Sequence, residues 1–332
     1  MSILVTGGAG YIGSHCVLAL LDRGEKVTVI DNLSTGASWA VPKAALLVEG
    51  DIADEELVGK VIAEQGVDSV IHFAASTVVP ESVANPLLYY RNNTAASLAL
   101  IRASVRGRIK HFIFSSTAAV YGICGEEPLT EADELRPMSP YGTSKVMTEL
   151  ILADTAKAGG PNYMILRYFN VAGADPLGRA GQSTPKATHL IKVACQSALS
   201  EEGAITVFGS DYPTRDGTCI RDYIHVTDLA EAHLSALDYL RSGGGSAIVN
   251  CGYGRGYSVL EVIRTVEEVS GRRLRLQFDG RRPGDPAVVV ASNAKIQRLL
   301  PWRPGLDDLR VIVSSALKWE KYLASMGRTT AC

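Results

Sequence analysis

Cysteine is sparse and unpatterned: Cys16, Cys124, Cys195, Cys219, Cys251 and Cys332 form no CxxC pair and no regular framework. That excludes a disulfide scaffold and suits a reduced compartment, where thiols serve as small apolar residues. The six histidines include no HxxH or HxxxH pair, so no metal site is expected and each reads as a singly satisfied polar residue. No apolar run approaches the ~18 residues that cross a bilayer. No basic segment with a cleavage site precedes Ile3-Leu4-Val5, so a cytoplasmic chain without membrane contact is expected. Charge of one sign is lacking too: 33 basic residues face 35 acidic ones, giving a formal net charge of −2. General attraction for nucleic acid is thereby excluded, and an anionic ligand must be held by local arginines. Internal repeats and low-complexity tracts are absent from the sequence.

What the 332 residues do contain is alternation. Short β-branched runs at 3–6, 26–30, 45–48, 69–73, 111–115 and 163–169 are separated by segments with room for helices at 11–23, 54–64, 86–106 and 140–158. The pattern predicts an α/β fold, a doubly wound parallel Rossmann sheet, with a second, smaller substrate-binding lobe. After Asn170 the pattern loosens around Gly173, Pro176, Gly178, Gly181 and Pro185, which marks the switch into that lobe. Residues 222–240 and 247–251 are expected to return to the first sheet. The sheet domain would then be 1–170 with 222–252, and the smaller lobe 171–221 with 253–332.

The first strand runs into Thr6-Gly7-Gly8-Ala9-Gly10-Tyr11-Ile12-Gly13. Glycines at 7, 10 and 13 let the backbone approach a pyrophosphate, and the helix opening at Tyr11 and Ile12 presents free N–H groups and a positive dipole end. The second strand ends in Asp31, eighteen residues past Gly13, near the ~20-residue spacing of a carboxylate that meets ribose hydroxyls. That carboxylate repels a 2′-phosphate, and no arginine follows it at once, so NAD is expected rather than NADP.

Ser115, Ser116 and Thr117 close the fifth strand, where open α/β sheets present ligand-binding groups. Tyr141 and Lys145, four apart in SPYGTSK, share one helix face. Bringing a tyrosine from its usual pKa to near 7 requires ~4 kcal/mol in favour of phenolate. One lysine at ~4 Å supplies ~1 kcal/mol in water and ~4 at a protein surface. The positive charge of an oxidised nicotinamide would make up the difference, and would vanish on reduction.

The set TGGAGYIG, DNLS, GDI, HFAA, YYRNN, FIFSSTAAVYG, SPYGTSK, LRYFN and RDYIHVTDLA resembles the UDP-glucose 4-epimerase family of extended short-chain dehydrogenases over nearly the whole chain. The resemblance implies tightly held NAD, a UDP-hexose substrate and a homodimer. It implies that Asp51 and Ile52 contact adenine and that Asn32 also binds the cofactor. Phe73, Ala74, Ala75, Asn92, Ser115, Tyr141, Lys145 and Tyr168 would line it. Thr117, Tyr141 and Lys145 are then catalytic: Tyr141 takes the C4 hydroxyl proton, hydride passes to NAD, and the transient 4-keto sugar turns and receives the hydride on its other face.

Arg221, opening RDYIHVTDLA, and Arg282, in RRPGD, are the candidates for the UDP diphosphate, through charge-assisted bidentate bonds. The same resemblance places Asn170, His189, Phe208 and Asp285 at the nucleotide sugar. His189 replaces an asparagine of some members, and Lys192 stands where proline is more usual. Where members restricted to plain hexoses carry a tyrosine beside C2 of the sugar, alignment on Gly-Asp puts Val289 and alignment on Pro-Ala puts Val288. A valine in either place leaves room for an acetamido group. A nucleotide-sugar 4,6-dehydratase would need further acid/base groups after Thr117, where Ala118 and Ala119 stand. A non-catalytic NAD-binding regulator would have no use for Tyr141 and Lys145.

Overall fold

The computed structural model describes residues 2–123, 125, 127–184, 188–282 and 284–327; Cys124, Pro185 and Cys332 lie outside them. Strand β1 (Ser2–Thr6), buried at every position, runs through the Gly-rich turn into α1 (Tyr11–Asp22). Strands β2 (Lys26–Asp31) and β3 (Leu46–Glu49) build outward on one side of β1. On its other side stand β4 (Val67–His72), β5 (His111–Thr117) and β6 (Asn162–Tyr168). Chain order reverses between β1 and β4, so their carboxyl ends frame the crevice where open sheets bind ligands.

The crossovers are α2 (Glu55–Gln65), α3 (Val79–Ala84), α4 (Pro86–Tyr89), α5 (Ala96–Arg106) and α6 (Pro140–Lys157). Strand alternation splits the core into two layers. Phe112 and Phe114 pack with Leu100 and Leu152 on one face, while Ile113 joins Val5, Leu166 and Leu229 on the other. The stretch 86–106, where the sequence leaves room for helix, is interrupted by a π-helical turn, Tyr90–Ala95. Nothing in its apolar spacing signals this. The wide turn lets two consecutive side chains grip one loop: Asn92 Nδ2 donates to Ser76 Oγ at 3.2 Å, and Asn93 Oδ1 accepts from Ser76 N at 2.8 Å.

Past β6 the chain leaves the sheet through β7 (Asn170–Ala172), α7 (Leu190–Leu199), β8 (Ala204–Phe208) and β9 (Ile220–His225). It comes back along α8 (Val226–Arg241) to β10 (Ala247–Cys251), which pairs parallel with β6. The order is β3-β2-β1-β4-β5-β6-β10, all parallel. The return starts at Val226, later than the expected Asp222. Residues Asp222–His225 belong to β9, held in a separate sheet because the buried Asp222 carboxylate accepts from Tyr253 N, Gly254 N and Ala291 N. The remaining elements are β11 (Gly256–Ser258), α9 (Val259–Ser270), β12 (Arg275–Asp279), β13 (Val288–Val289), α10 (Ala294–Leu299) and α11 (Leu309–Ser325). Strands β7, β11 and β13 all pair with β9, and β8 pairs with β12. Among the described residues no helix is long and apolar enough to cross a membrane, and no cluster of metal-ligating side chains occurs.

Candidate active site

The Gly-rich turn is glycine for steric reasons. Gly7 has φ of 71°, and a Cβ there would lie 2.6 Å from Ala74 N; a Cβ on Gly13 would lie 2.2 Å from the Gly7 carbonyl oxygen. The turn therefore crosses the end of β4 with no room for a side chain. Gly10 starts α1 without a side-chain cap, which leaves the first-turn amides of Tyr11 and Ile12 to serve an anion. Asp31 closes the cradle. Its carboxylate accepts from Ala9 N at 2.9 Å and Leu33 N at 2.8 Å, which fixes it beside the turn.

Asn32 Nδ2 donates to Asp51 Oδ2 at 3.2 Å, joining the ends of the expected adenosine wall, while Ile52 is buried in the core beneath it. Phe73, Ala74 and Ala75 extend from β4, and the Phe73 ring lies 4.8 Å from that of His233. The strand, turn, helix and acid thus fit a dinucleotide. Tyr11 turns away from the phosphate position: its hydroxyl donates to the Gly173 carbonyl at 2.6 Å, tying α1 to the smaller lobe.

Helix α6 opens with Ser139, whose Oγ accepts from Gly142 N at 3.2 Å, followed by Pro140, whose fixed φ suits a first helical position. That start sets Tyr141 at the mouth of the crevice, with Thr117 lowering its phenol and the Tyr89 ring edge-on at 6.5 Å. One turn on, Lys145 Nζ donates to the Ser115 carbonyl at 2.9 Å and sits 4.9 Å from the Phe114 ring centre. The Ser115 hydroxyl meets the Tyr168 hydroxyl at 2.5 Å. Burial pushes the Tyr141 phenol up despite the opposing influence of Thr117, and pushes Lys145 down to about 7. Both groups are biased toward neutrality, so Tyr141 keeps its proton until another positive charge arrives beside it.

Across the crevice, Asn170 begins β7 and His189 precedes α7. They line a small cavity of about 20 Å³ with Tyr11 and Tyr223. Phe208 ends β8 with the Arg282 guanidinium 4.0 Å above its ring, a flat aromatic and a cation held together. Arg221 Nη2 donates to Asp285 Oδ1 at 2.6 Å. The two valines separate cleanly. Val289 pairs with Arg221 in the strand register and packs on the cluster of Val120 and Phe169 that also takes in Ala118, next to Thr117. Val288 lines a surface hollow with Pro213 and Arg215.

Several pairings beside the site left no mark in the sequence. Glu149, two turns past Tyr141, is buried against Arg167. Lys192 is buried against Glu320 at 2.5 Å and donates to the Gln182 carbonyl at 2.8 Å. A cation in the first turn of α7 opposes the helix dipole. Glu320, 128 residues away, offsets it.

The chain matches the model of the NAD dependent epimerase/dehydratase family over residues 3–252. A UDP-glucose 4-epimerase of Azospirillum brasilense is 57% identical over 330 residues, 99% of this chain and 95% of that protein. The crystal structure of UDP-glucose 4-epimerase from Brucella ovis in complex with NAD has a TM-score of 0.92 at 42% identity, covering 96% of this chain and 98% of its own. The UDP-Glc/GlcNAc 4-epimerase of Campylobacter jejuni has a TM-score of 0.84 at 44% identity, covering 97% of this chain and 99% of its own.

Proposed function

The chain belongs to the UDP-glucose 4-epimerases of the NAD dependent epimerase/dehydratase family, and on that basis we propose how its residues share the reaction. The enzyme uses NAD to invert C4 of UDP-hexoses. The arrangement of Tyr141, Lys145 and Thr117 at the mouth of the glycine cradle carries the assignment. Residues 1–170 with 226–252 hold the cofactor, and the rest of the chain holds the UDP-sugar.

NAD, when bound, accepts a hydride from C4 and returns it, and its oxidised nicotinamide is positively charged. The cradle amides take its pyrophosphate and Asp31 its adenosine ribose. Thr117 orients the C4 hydroxyl, and Tyr141 takes its proton and later gives it back. Lys145, anchored on the Ser115 carbonyl, stabilises the phenolate in between. Arg282, Phe208 and the Arg221–Asp285 pair grip the nucleotide. Anchoring the nucleotide and leaving the hexose loosely held is what allows the sugar to present either face.

Val289, on the side of Ala118, is the residue proposed to face C2 of the sugar. Its small side chain supports acceptance of UDP-N-acetylglucosamine and UDP-N-acetylgalactosamine as well as the plain pair. Incubated with UDP-galactose and no added cofactor, the protein should form UDP-glucose without accumulating NADH. It should also interconvert the acetylated pair, and Val289→Tyr should lose that second activity while keeping the first. NADH accumulation would mark a dehydrogenase; a wild type inert toward acetylated sugars would remove Val289 from this role.

The second copy of a homodimer is assigned to the outer faces of α5 and α6. Leu98, Met147 and Leu150 are exposed there, and Thr94 Oγ1, in the π turn that leads into α5, contacts Met147 Sδ on α6. Leu150→Glu should halve the mass measured by sedimentation while the circular dichroism stays unchanged; an unaltered mass would move the interface elsewhere. Free buried thiols at Cys16, Cys195, Cys219 and Cys251 support a cytoplasmic setting.

A further inference from the structure

The last three residues of β5 are each tied to α6, and the ties fall on one face of that helix at 141, 145 and 149. Thr117 acts on the Tyr141 phenol, the Ser115 carbonyl accepts from Lys145, and between them Ser116 Oγ donates to Glu149 Oε1 at 2.5 Å. Strand alternation turns Ser116 toward the α6 side of the sheet, with Phe112 and Phe114. Glu149 is itself clamped. Arg167, the register partner of Ser116 on β6, donates Nε to Oε1 at 3.0 Å and Nη2 to Oε2 at 2.6 Å. Arg167 Nη1 also donates to the Tyr121 hydroxyl at 3.1 Å, and that hydroxyl donates to Asn250 Oδ1 on β10 at 2.6 Å. The carboxylate and guanidinium are 4% and 3% exposed, too buried for a solvated surface pair.

We propose that Glu149 is a positioning residue of the reaction: clamped by Arg167 and Ser116, it fixes the end of β5 against α6 and sets a negative charge one helical turn from Lys145. Burying two charges is costly, and a well-packed apolar pair often gives equal or greater stability, so stability alone is a weak reason for this clamp. Position supplies the better reason. Glu149 lies one helical turn beyond Lys145, and its negative charge works against the burial that favours the neutral amine.

The other groups facing Lys145 do not replace that charge. On α6 Tyr141 is protonated before the cofactor is present; on β4 His72 is held neutral by burial, at about 3; on β6 Tyr168 is a phenol raised by burial, and Arg167 is itself a cation. The clamp also sets both ends of the catalytic reach. Ser116 lies between the carbonyl that holds Lys145 and the threonine that meets Tyr141, so a shift of its backbone moves both contacts together.

The test uses the NAD-containing enzyme with 13Cε-labelled lysine, comparing Glu149→Gln, Glu149→Asp and Ser116→Ala. Glu149→Gln should lower the pH at which Lys145 titrates by about one unit or more. The alkaline limb of the kcat profile should move down with it, and KM for UDP-glucose should change by no more than about twofold, since the nucleotide is held by the other lobe. Glu149→Asp keeps the charge and should restore the titration of Lys145. Ser116→Ala keeps the ion pair but cuts its link to the strand, and should lower kcat several-fold at unchanged KM and unchanged Lys145 titration. A purely structural pair would lower the folded fraction and leave the titration of Lys145 and the kcat profile of the folded enzyme where they were; that result with Glu149→Gln overturns the proposal. If that variant does not fold, a wild-type kcat in Ser116→Ala overturns it instead.

Discussion

Tyr141→Phe is expected to lower kcat by about 10²- to 10⁴-fold, the range that a positioned general acid/base contributes. The substitution removes one hydroxyl from a ring whose place is set by other contacts. Ser139 caps the helix, Tyr89 meets the ring edge-on, and Lys145 keeps its own anchor on the Ser115 carbonyl. The fold and the Arg282–Phe208 contact, the proposed grip on the nucleotide, are untouched. Calorimetric titration with UDP should therefore give a Kd within about twofold of wild type while turnover collapses, the signature of a group acting only in the chemical step. A phenylalanine variant that keeps its turnover would transfer the proton to another residue, and none with Thr117 within reach was legible in the sequence.

Acid should be the enzyme's weak side. Burial lowers His15, His225 and His233 to about 4 and His72 to about 3, so the folded state holds all four neutral. Their contacts have the same requirement. His225 Nδ1 accepts from Thr227 N at 3.1 Å, which a protonated ring cannot do, and His15 Nε2 and His233 Nε2 have no partner among the described residues to receive a proton's bond. A folded pKa below the unfolded value means stability that is complete above pH ~6.5 and is lost as pH falls through the folded pKa.

Asp222 opposes the trend, since burial raises it to about 6 and the folded state gains by protonating it. With four histidines against one carboxylate, the unfolded state binds up to about three more protons, a slope of ~4 kcal/mol per pH unit between about pH 6 and 4. Urea midpoints should fall steeply across that interval. His233→Gln, whatever its absolute stability, should show a shallower fall. A midpoint constant from pH 7 to 4.5 would falsify the neutral assignment.

The parts of this molecule that could be read in advance are those written locally. Gly7, Gly10 and Gly13 sit within one turn, Asp31 follows at the next strand end, and Tyr141 and Lys145 share one helix face, so sequence spacing carries their geometry. The π turn at Tyr90–Ala95 left no such trace, because its cause lies in Ser76 and Ser144, which Asn93 reaches only in the folded chain. Glu149 reads as the ordinary i,i+4 partner of Lys145 on a wet helix face, and only β6 supplies the arginine that buries it. Lys192 and Glu320 are likewise joined by tertiary structure alone. The return to the sheet was placed four residues early because β9 looks like any sheet strand; the bonds that hold Asp222 in the smaller sheet come from residues 253, 254 and 291.

The path of the chain has a consequence for synthesis. Strand β6 is complete at Tyr168, but its neighbour β10 begins at Ala247, and α8, which packs on β5 and β6, precedes β10 by only a few residues. While the ribosome works through the intervening stretch, the large sheet has an open strand edge and an uncovered apolar face at Ile113 and Leu166. The segment that ends the exposure is also the segment that follows the first part of the smaller lobe. The two halves are separable in space but not in time: neither is finished until the ribosome has passed Cys251, and the nascent chain relies on its own excursion, or on a chaperone, to keep that edge from pairing with another copy.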